Sequence, residues 1–153
     1  MVSIFEKLNL KEHTSILVLH SPKSFLPALK TLKGITVYQD ARSFQGASFV
    51  LAFVTTQDQI KIISKIIAKN ILGDAIVWMA YPKGTSKKYQ CDFNRDTGWD
   101  PLGKIGFERV RQVAIDEDWS ALRFRRVEFI KTMIRKESFA LTDRGKRKAR
   151  KVG

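Results

Sequence analysis

The sequence predicts an α/β domain with a mostly parallel sheet flanked by helices, ending in an antiparallel hairpin and a basic C-terminal tail. Short apolar runs alternate with amphipathic stretches, which is the pattern of successive strand–helix units. The 153 residues are 44% hydrophobic and include ten Phe, which is enough for one core. Residues 123–153 hold 12 basic and 3 acidic residues of a chain whose net charge is +13. We therefore predict one domain over residues 1–128 and a basic extension over 129–153.

Four apolar runs predict the parallel strands, at residues 15–19, 35–39, 49–54 and 75–80. Helices are predicted between them, at 3–10, 24–33 and 57–72. Small hydroxylated or acidic side chains stand where these helices begin and can cap them: Ser3, Ser24, Thr55, Thr56 and Asp58. Gly73 is the predicted C-terminal cap of the long third helix.

A hairpin is predicted after this region, with strands at 110–115 and 121–127 around the turn Asp116-Glu117-Asp118. Asp is a common turn residue, so these three acids are interpreted as structural and not as a metal site. A short helix is expected near 100–106, and residues 129–136 either form a helix or continue the last strand.

Several classes of site are excluded by composition. Cys91 is the single cysteine, which rules out an intrachain disulfide and a Cys-rich zinc site. His13 and His20 are isolated in the sequence, so no metal is predicted. The N-terminus lacks the apolar segment of a secretory signal, and the run at 49–54 is too short to cross a bilayer. We therefore expect a cytoplasmic protein with no membrane span.

Four sequence blocks carry a family resemblance: LVLHSPKSF (17–25), AFVTTQDQI (52–60), IVWMAYPKGTS (76–86) and VAIDEDWSALRF (113–124). In order and spacing they resemble an uncharacterised bacterial family, domain of unknown function 3052. More distantly, the layout resembles a degenerate Rossmann-like methyltransferase fold. The resemblance implies a Rossmann-like sheet with an antiparallel final strand, and it implies no activity because that family has none assigned.

Ligands of open α/β sheets bind beyond the carboxyl ends of the strands, at the point where the strand order reverses. In the predicted fold this edge collects three segments, the turn after the first strand, the turn after the third and the loop at 81–87. The candidate ligand-binding residues are His20, Ser21, Lys23, Ser24, Thr55, Thr56, Tyr81 and Lys83. Hydroxyls and a lysine at a helix start suit a small anion, although Ser24 can simply cap its helix.

The first turn argues against a nucleotide-type cofactor. A dinucleotide or S-adenosylmethionine site needs glycines there, so that the ligand can approach the backbone closely. The segment from His20 to Phe25 has none, and Asp40 is the nearest acid to the end of the second strand. We therefore predict no cofactor and assign no catalytic residue.

The basic extension offers a second kind of site. Six basic side chains cluster near the C-terminus: Arg144, Lys146, Arg147, Lys148, Arg150 and Lys151. Such a cluster attracts nucleic acid or an acidic protein without sequence preference, and it can equally be a solvated tail that aids solubility.

Three functional hypotheses remain open. The first is a non-enzymatic module that binds a partner or itself, since a hairpin at a sheet edge can pair with a second chain to form a homodimer. The second is a nucleic-acid-associated protein that uses the basic tail. The third is a protein that binds a small anionic ligand, or a divergent transferase, with its site at the carboxyl edge of the sheet.

Overall fold

A computed structural model describes residues 3–40, 42 and 46–130. The strands are β1 (Ser15–Leu19), β2 (Thr36–Tyr38), β3 (Ala47–Phe53), β4 (Ile71–Pro82), β5 (Phe107–Ala114) and β6 (Trp119–Arg126). The helices are α1 (Ile4–Lys7), α2 (Leu26–Lys30), α3 (Gln57–Asn70) and α4 (Asp100–Lys104), with 3₁₀ turns at Lys23–Phe25 and Val127–Phe129.

The six strands form one sheet in the order β2-β1-β3-β4-β6-β5. Strands β1 to β4 are parallel, and β6 runs antiparallel to both of its neighbours, β4 and β5. The predicted fold class, a mostly parallel sheet with a terminal hairpin, is confirmed. The chain leaves β1 for β2 on one side and returns to β3 on the other, so the strand order reverses between β1 and β3.

Both faces of the sheet are covered, which is why β3 and β4 read as continuous apolar runs. On one face α3 packs Ile60, Ile63 and Ile67 against the sheet. On the other face α1 and α2 contribute Phe5 and Leu29. This two-layer burial fixes the register of the central strands, because a one-residue slip would exchange the two faces.

Helix α3 begins where the hydroxyl pattern predicts. The Thr56 side chain accepts a hydrogen bond from the Gln59 backbone N–H, and the Gln59 side chain accepts one from the Thr56 backbone. This capping box satisfies two donors of the first turn. The predicted C-terminal cap at Gly73 is wrong, because the helix ends at Asn70 and Ile71 already belongs to β4. Gly73 adopts a left-handed φ of +61° inside a bulge of that strand.

The first two helices are shorter than predicted. Ser3 caps α1 as expected and accepts a hydrogen bond from the Glu6 backbone N–H. Ser24 caps nothing, because it lies inside the 3₁₀ turn whose preceding residue is Pro22. Pro27 lies in the first turn of α2, where its missing N–H costs no helical hydrogen bond.

No helix in the described ranges is both long and apolar enough to cross a membrane. The predicted basic cluster at Arg144 to Lys151, and most of the segment at 129–136, lie outside the described residues.

Candidate ligand cavity at the carboxyl edge of the sheet

A cavity of about 420 Å³ lies where β4 ends and β6 begins. This is the carboxyl edge of the parallel strands, and the volume falls within the usual range for small-ligand sites. We call it the Tyr81 cavity. It is lined by Tyr81, Pro82, Lys83, Gly84, Thr85, Cys91, Phe93, Asn94, Arg95, Gln112 and Ser120.

The hydroxyl of Tyr81 is the fixed polar group of this cavity. Gln112 donates a hydrogen bond to it from Nε2 at 3.0 Å. Burial raises the pKa of Tyr81, and a hydrogen bond with Ser120 offsets part of that rise. The phenol therefore stays neutral at physiological pH and keeps its proton, which it can donate to a ligand.

The cationic groups of the cavity come from Lys83 and Arg95. Lys83 is half-buried, and its backbone N–H donates to the Asp118 carbonyl at 2.8 Å. Arg95 is exposed, and its Nε lies 3.6 Å from the Asp96 carboxylate. An apolar wall of Pro82 and Phe93 together with two cations suits an organic anion.

The loop at 83–99 is fastened to the hairpin at one end. The Ser86 hydroxyl donates to the Asp118 carboxylate at 2.9 Å and accepts hydrogen bonds from the backbone of Lys88 and Tyr89. The Tyr89 ring then packs on Trp119 with ring centroids 4.9 Å apart. The hairpin turn is itself closed by Asp116, whose carboxylate accepts the backbone N–H of Asp118 and Trp119. The predicted structural role of these acids is confirmed for Asp116 and Asp118.

The same loop is fastened to α3 at its other end. The Asp92 carboxylate accepts the Gln57 backbone N–H at 2.8 Å, and the Asp92 carbonyl accepts from the Gln57 side chain at 3.0 Å. A helix N-terminus favours a negative group, so this contact is strengthened by the helix dipole. Next to it, Gly98 has φ +91°, and a Cβ there would lie 2.8 Å from the Cβ of Phe93. Only glycine therefore fits at this position.

Of the eight predicted ligand-binding residues, the Tyr81 cavity is lined by Tyr81 and Lys83 and by none of the other six. Thr55 and Thr56 are engaged in the cap of α3, where the Thr55 hydroxyl donates to the Gln59 side chain at 3.1 Å. Beside them, the Asp92 carboxylate accepts the Gln57 backbone N–H at the N-terminus of α3. Ser21, Lys23 and Ser24 form the turn and 3₁₀ segment after β1.

The first turn keeps its tight geometry without glycine. His20 adopts a left-handed φ of +57°, a conformation that His tolerates better than most side chains. Its side chain is exposed. The sequence indicated that glycine was missing at this turn, whereas the structure shows that the left-handed bend is nevertheless present.

Similarity to solved structures was found at the level of fold. The chain superimposes on a SAM-dependent methyltransferase from Aquifex aeolicus with a TM-score of 0.55 and 12% identity, covering 80% of this chain and 87% of that one. It superimposes on the fibrillarin pre-rRNA processing protein of Methanococcus jannaschii with a TM-score of 0.50 and 12% identity, covering 82% and 69%. The fold is Rossmann-like and methyltransferase-like. No protein-family model matches the chain and no curated protein matches it significantly, so the resemblance to the uncharacterised family is not confirmed.

The residues at the first turn do not fit S-adenosylmethionine. Pro22 has no N–H to offer a ligand, and the non-glycine residues His20 and Ser21 occupy the place where the ligand must approach the backbone. At the end of β2, the Asp40 carboxylate accepts hydrogen bonds from the Arg42 guanidinium at 3.0 to 3.3 Å. These bonds lower the pKa of Asp40 and direct its oxygens toward Arg42.

Several residues of the cavity were not predicted from the sequence: Cys91, Phe93, Asn94, Arg95, Gln112 and Ser120. The segment at 90–108 has no clear periodicity, and Gln112 belongs to the edge strand, two strands from β4. The alternation of side chains along β5 could have indicated Gln112, because it places this residue directly opposite Leu122 and on the same face of the hairpin.

Proposed function

We propose that this chain is a binding module on a methyltransferase-like fold, and that it holds a small organic anion in the Tyr81 cavity without transferring a methyl group. The single observation that carries the proposal is the cavity at the carboxyl edge, where a neutral tyrosine hydroxyl lies with Lys83 and Arg95. The misfit of the first turn to S-adenosylmethionine supports the non-enzymatic half of the proposal.

The lining residues of the Tyr81 cavity would contact different portions of the ligand. Pro82 and Phe93 contact the apolar portion of the ligand, and Tyr81 donates a hydrogen bond to a polar atom. Lys83 supplies charge at a backbone position that its N–H bond to Asp118 holds in place. Binding energy comes mainly from the buried apolar area, and the charged groups select an anion over a neutral analogue.

The test uses the aromatic sulfonate 1-anilinonaphthalene-8-sulfonate, whose fluorescence rises in an apolar site, with the folded full-length protein. We expect saturable binding that Lys83→Ala weakens by about tenfold, since a charge-assisted contact contributes roughly 1.5 kcal/mol. Thr85→Trp should also weaken it by filling the cavity. Lys88→Ala is the matched control, because Lys88 lies in the same loop and does not line the cavity.

Two results would contradict the proposal. Equal affinity in the wild type, Lys83→Ala and Thr85→Trp would place the dye elsewhere. Micromolar binding of S-adenosylmethionine by calorimetry, lost in a Ser21→Trp variant, would restore the first turn as a methyl-donor site.

Self-association through the hairpin is the other expectation for a non-enzymatic module, and the composition of the edge strand argues against it. β5 carries Arg109 and Arg111 and is interrupted by a bulge between them. Charged side chains and bulges are devices that prevent edge-to-edge pairing of sheets. We therefore infer that a second copy does not add to β5. Light scattering at rising protein concentration should show a monomer for the wild type, and Arg111→Ala, which removes a protective charge, should promote dimer formation.

A further inference from the structure

A second concavity follows the edge strand beside the Tyr81 cavity. It has a volume of about 330 Å³ and is lined by Arg95, Asp96, Arg109, Val110, Arg111, Gln112 and Leu122. We call it the arginine groove. Among its described lining residues three are arginines and one, Asp96, is acidic.

Two arginines of β5 line the groove on either side of a bulge in that strand. Arg109 pairs with Phe124 and Arg111 pairs with Arg123, so two steps along β5 oppose one step along β6. In a regular strand, residues two positions apart point to the same face, so the extra residue Val110 changes the relative direction of these two side chains. The extra residue redirects the strand locally, which is a common use of a bulge.

The arginines are held in position while two of their guanidinium groups stay accessible. Arg109 donates from Nη1 to the Arg95 carbonyl at 2.9 Å, which ties the loop to the edge strand. The Arg95 side chain is 65% exposed, and Arg111 is exposed. The one acid, Asp96, lies 3.6 Å from Arg95, and its own side chain is 59% exposed, so this pair is weak.

Positive charge accumulates across the strands as well. Arg111 lies directly opposite Arg123, and like charges at such positions destabilise a sheet. Burial lowers the pKa of Arg123, Arg125 lowers it further, and the Arg123 Nε has no hydrogen-bond partner among the described residues. Arg123 lies outside the lining of the arginine groove, so its charge adds only to the general positive potential of the hairpin.

The arginine groove and the Tyr81 cavity share Arg95 and Gln112, so they adjoin. Together they form a concave basic path from Lys83 to Arg111. Residues 123–153 contribute +9 of the chain's net charge of +13, so the positive potential of this path comes from its own arginines and Lys83. Guanidinium groups match phosphate geometry through paired N–H donors.

We propose that the arginine groove binds the phosphodiester backbone of a single-stranded nucleic acid. A flexible strand can follow a concave path of this kind, whereas the phosphates of a duplex lie on a convex rod. This proposal shares Arg95 with the small-anion proposal, and its surface differs from the basic tail predicted from the sequence.

The test is fluorescence anisotropy of a labelled twelve-nucleotide uridine strand with the full chain at several salt concentrations. The groove variant Arg95→Ala/Arg111→Ala should bind about tenfold more weakly. Its slope of log K against log salt should be shallower by about 1.4, since each phosphate contact on a single strand contributes about 0.7. The same double change to Lys should keep most of the slope.

Matched variants separate this site from other sources of positive charge. Lys61→Ala/Lys65→Ala removes the same charge from the exposed side of α3 and should leave the slope unchanged. Changing the six basic residues of 144–151 to Ala should leave the groove contribution of about 1.4 in place. An unchanged slope in the groove variant overturns the proposal, as does equal competition by polyglutamate, which would indicate an acidic protein partner. Tighter binding of a duplex than of the strand would also overturn it.

Discussion

The Asp92 carboxylate accepts the Gln57 backbone N–H at 2.8 Å and thereby joins the cavity loop to the first turn of α3. The Asp92 backbone N–H also donates to the Thr55 carbonyl at 3.3 Å, and the Gln57 side chain donates to the Asp92 carbonyl at 3.0 Å, so several bonds at Asp92 hold the loop that lines the Tyr81 cavity. An acid at a helix N-terminus also satisfies a backbone donor that the helix cannot satisfy itself.

Replacing Asp92 by Ala should lower the free energy of unfolding by about 1–2 kcal/mol, because it removes a charged helix cap. It should also weaken dye binding in the Tyr81 cavity. Urea unfolding and the fluorescence titration measure the two effects. Asp58→Ala is the control, since Asp58 lies in the same helical turn and is exposed; an equal loss in both variants would mean that the loop is not held by Asp92.

Gly98→Ala should destabilise the protein more than Gly34→Ala. Both residues have a left-handed φ, +91° and +71°, so both variants bear backbone strain of roughly 1–2 kcal/mol. At Gly98 the new Cβ also meets Phe93 at 2.8 Å, whereas nothing lies within 4 Å of the one at Gly34. Thermal unfolding of the pair isolates the steric cost, and equal melting temperatures would refute it.

Trp78→Phe should cost about 2–3 kcal/mol of unfolding free energy. The buried indole N–H of Trp78 donates to the Leu8 carbonyl at 2.8 Å and so attaches the N-terminal segment to the centre of the sheet. Its loss leaves that buried carbonyl without the donor and opens space in the core. Trp99→Phe is the comparison, because its indole acceptor belongs to exposed Asn94 and water can replace the donor there. Denaturant unfolding should rank the Trp78 variant as the less stable.

The Asp74–Arg125 ion pair should make stability depend on pH in the acid range. Hydrogen bonds from Arg125 lower the pKa of Asp74, so the folded state favours the ionised carboxylate. This stability is present above the unfolded pKa of about 3.9 and is lost as the pH falls through the lower folded value.

Asp74→Asn should therefore cost up to about 1 kcal/mol at neutral pH, a value reduced by the one-third exposure of both side chains. The difference from wild type should vanish near pH 2. Urea unfolding at both pH values measures it, with Asp96→Asn as the exposed-pair control. A deficit that persists in acid would assign the effect to packing.

Local pattern predicted the strands and the long helix well. β1 matches its predicted range of 15–19, and the buried runs at 49–54 and 75–80 lie within or almost within β3 and β4. These elements are determined by apolar periodicity and by the hydroxyl cap at Thr56, which are properties of neighbouring residues. The end of α3 was predicted less well. Ile71 pairs with Ala47 of β3, so β4 begins at Ile71, earlier than its apolar run indicates. The start of a strand that is set by pairing with a distant strand cannot be predicted from the residues of that one segment.

The sequence by itself determined the fold class, the antiparallel hairpin and the missing glycines of the first turn, because each depends on residue type and spacing along the chain. Tertiary structure alone decided which polar groups meet. It placed Arg95 and Gln112 beside Tyr81, and it joined Asp92 to the first turn of α3. The physical reason is that β6 lies between β4 and the edge strand β5, so the positions of Gln112 and Tyr81 relative to each other depend on how the whole hairpin pairs. The loop that carries Arg95 has no periodicity, and its conformation is set by its contacts with α3 and with the hairpin.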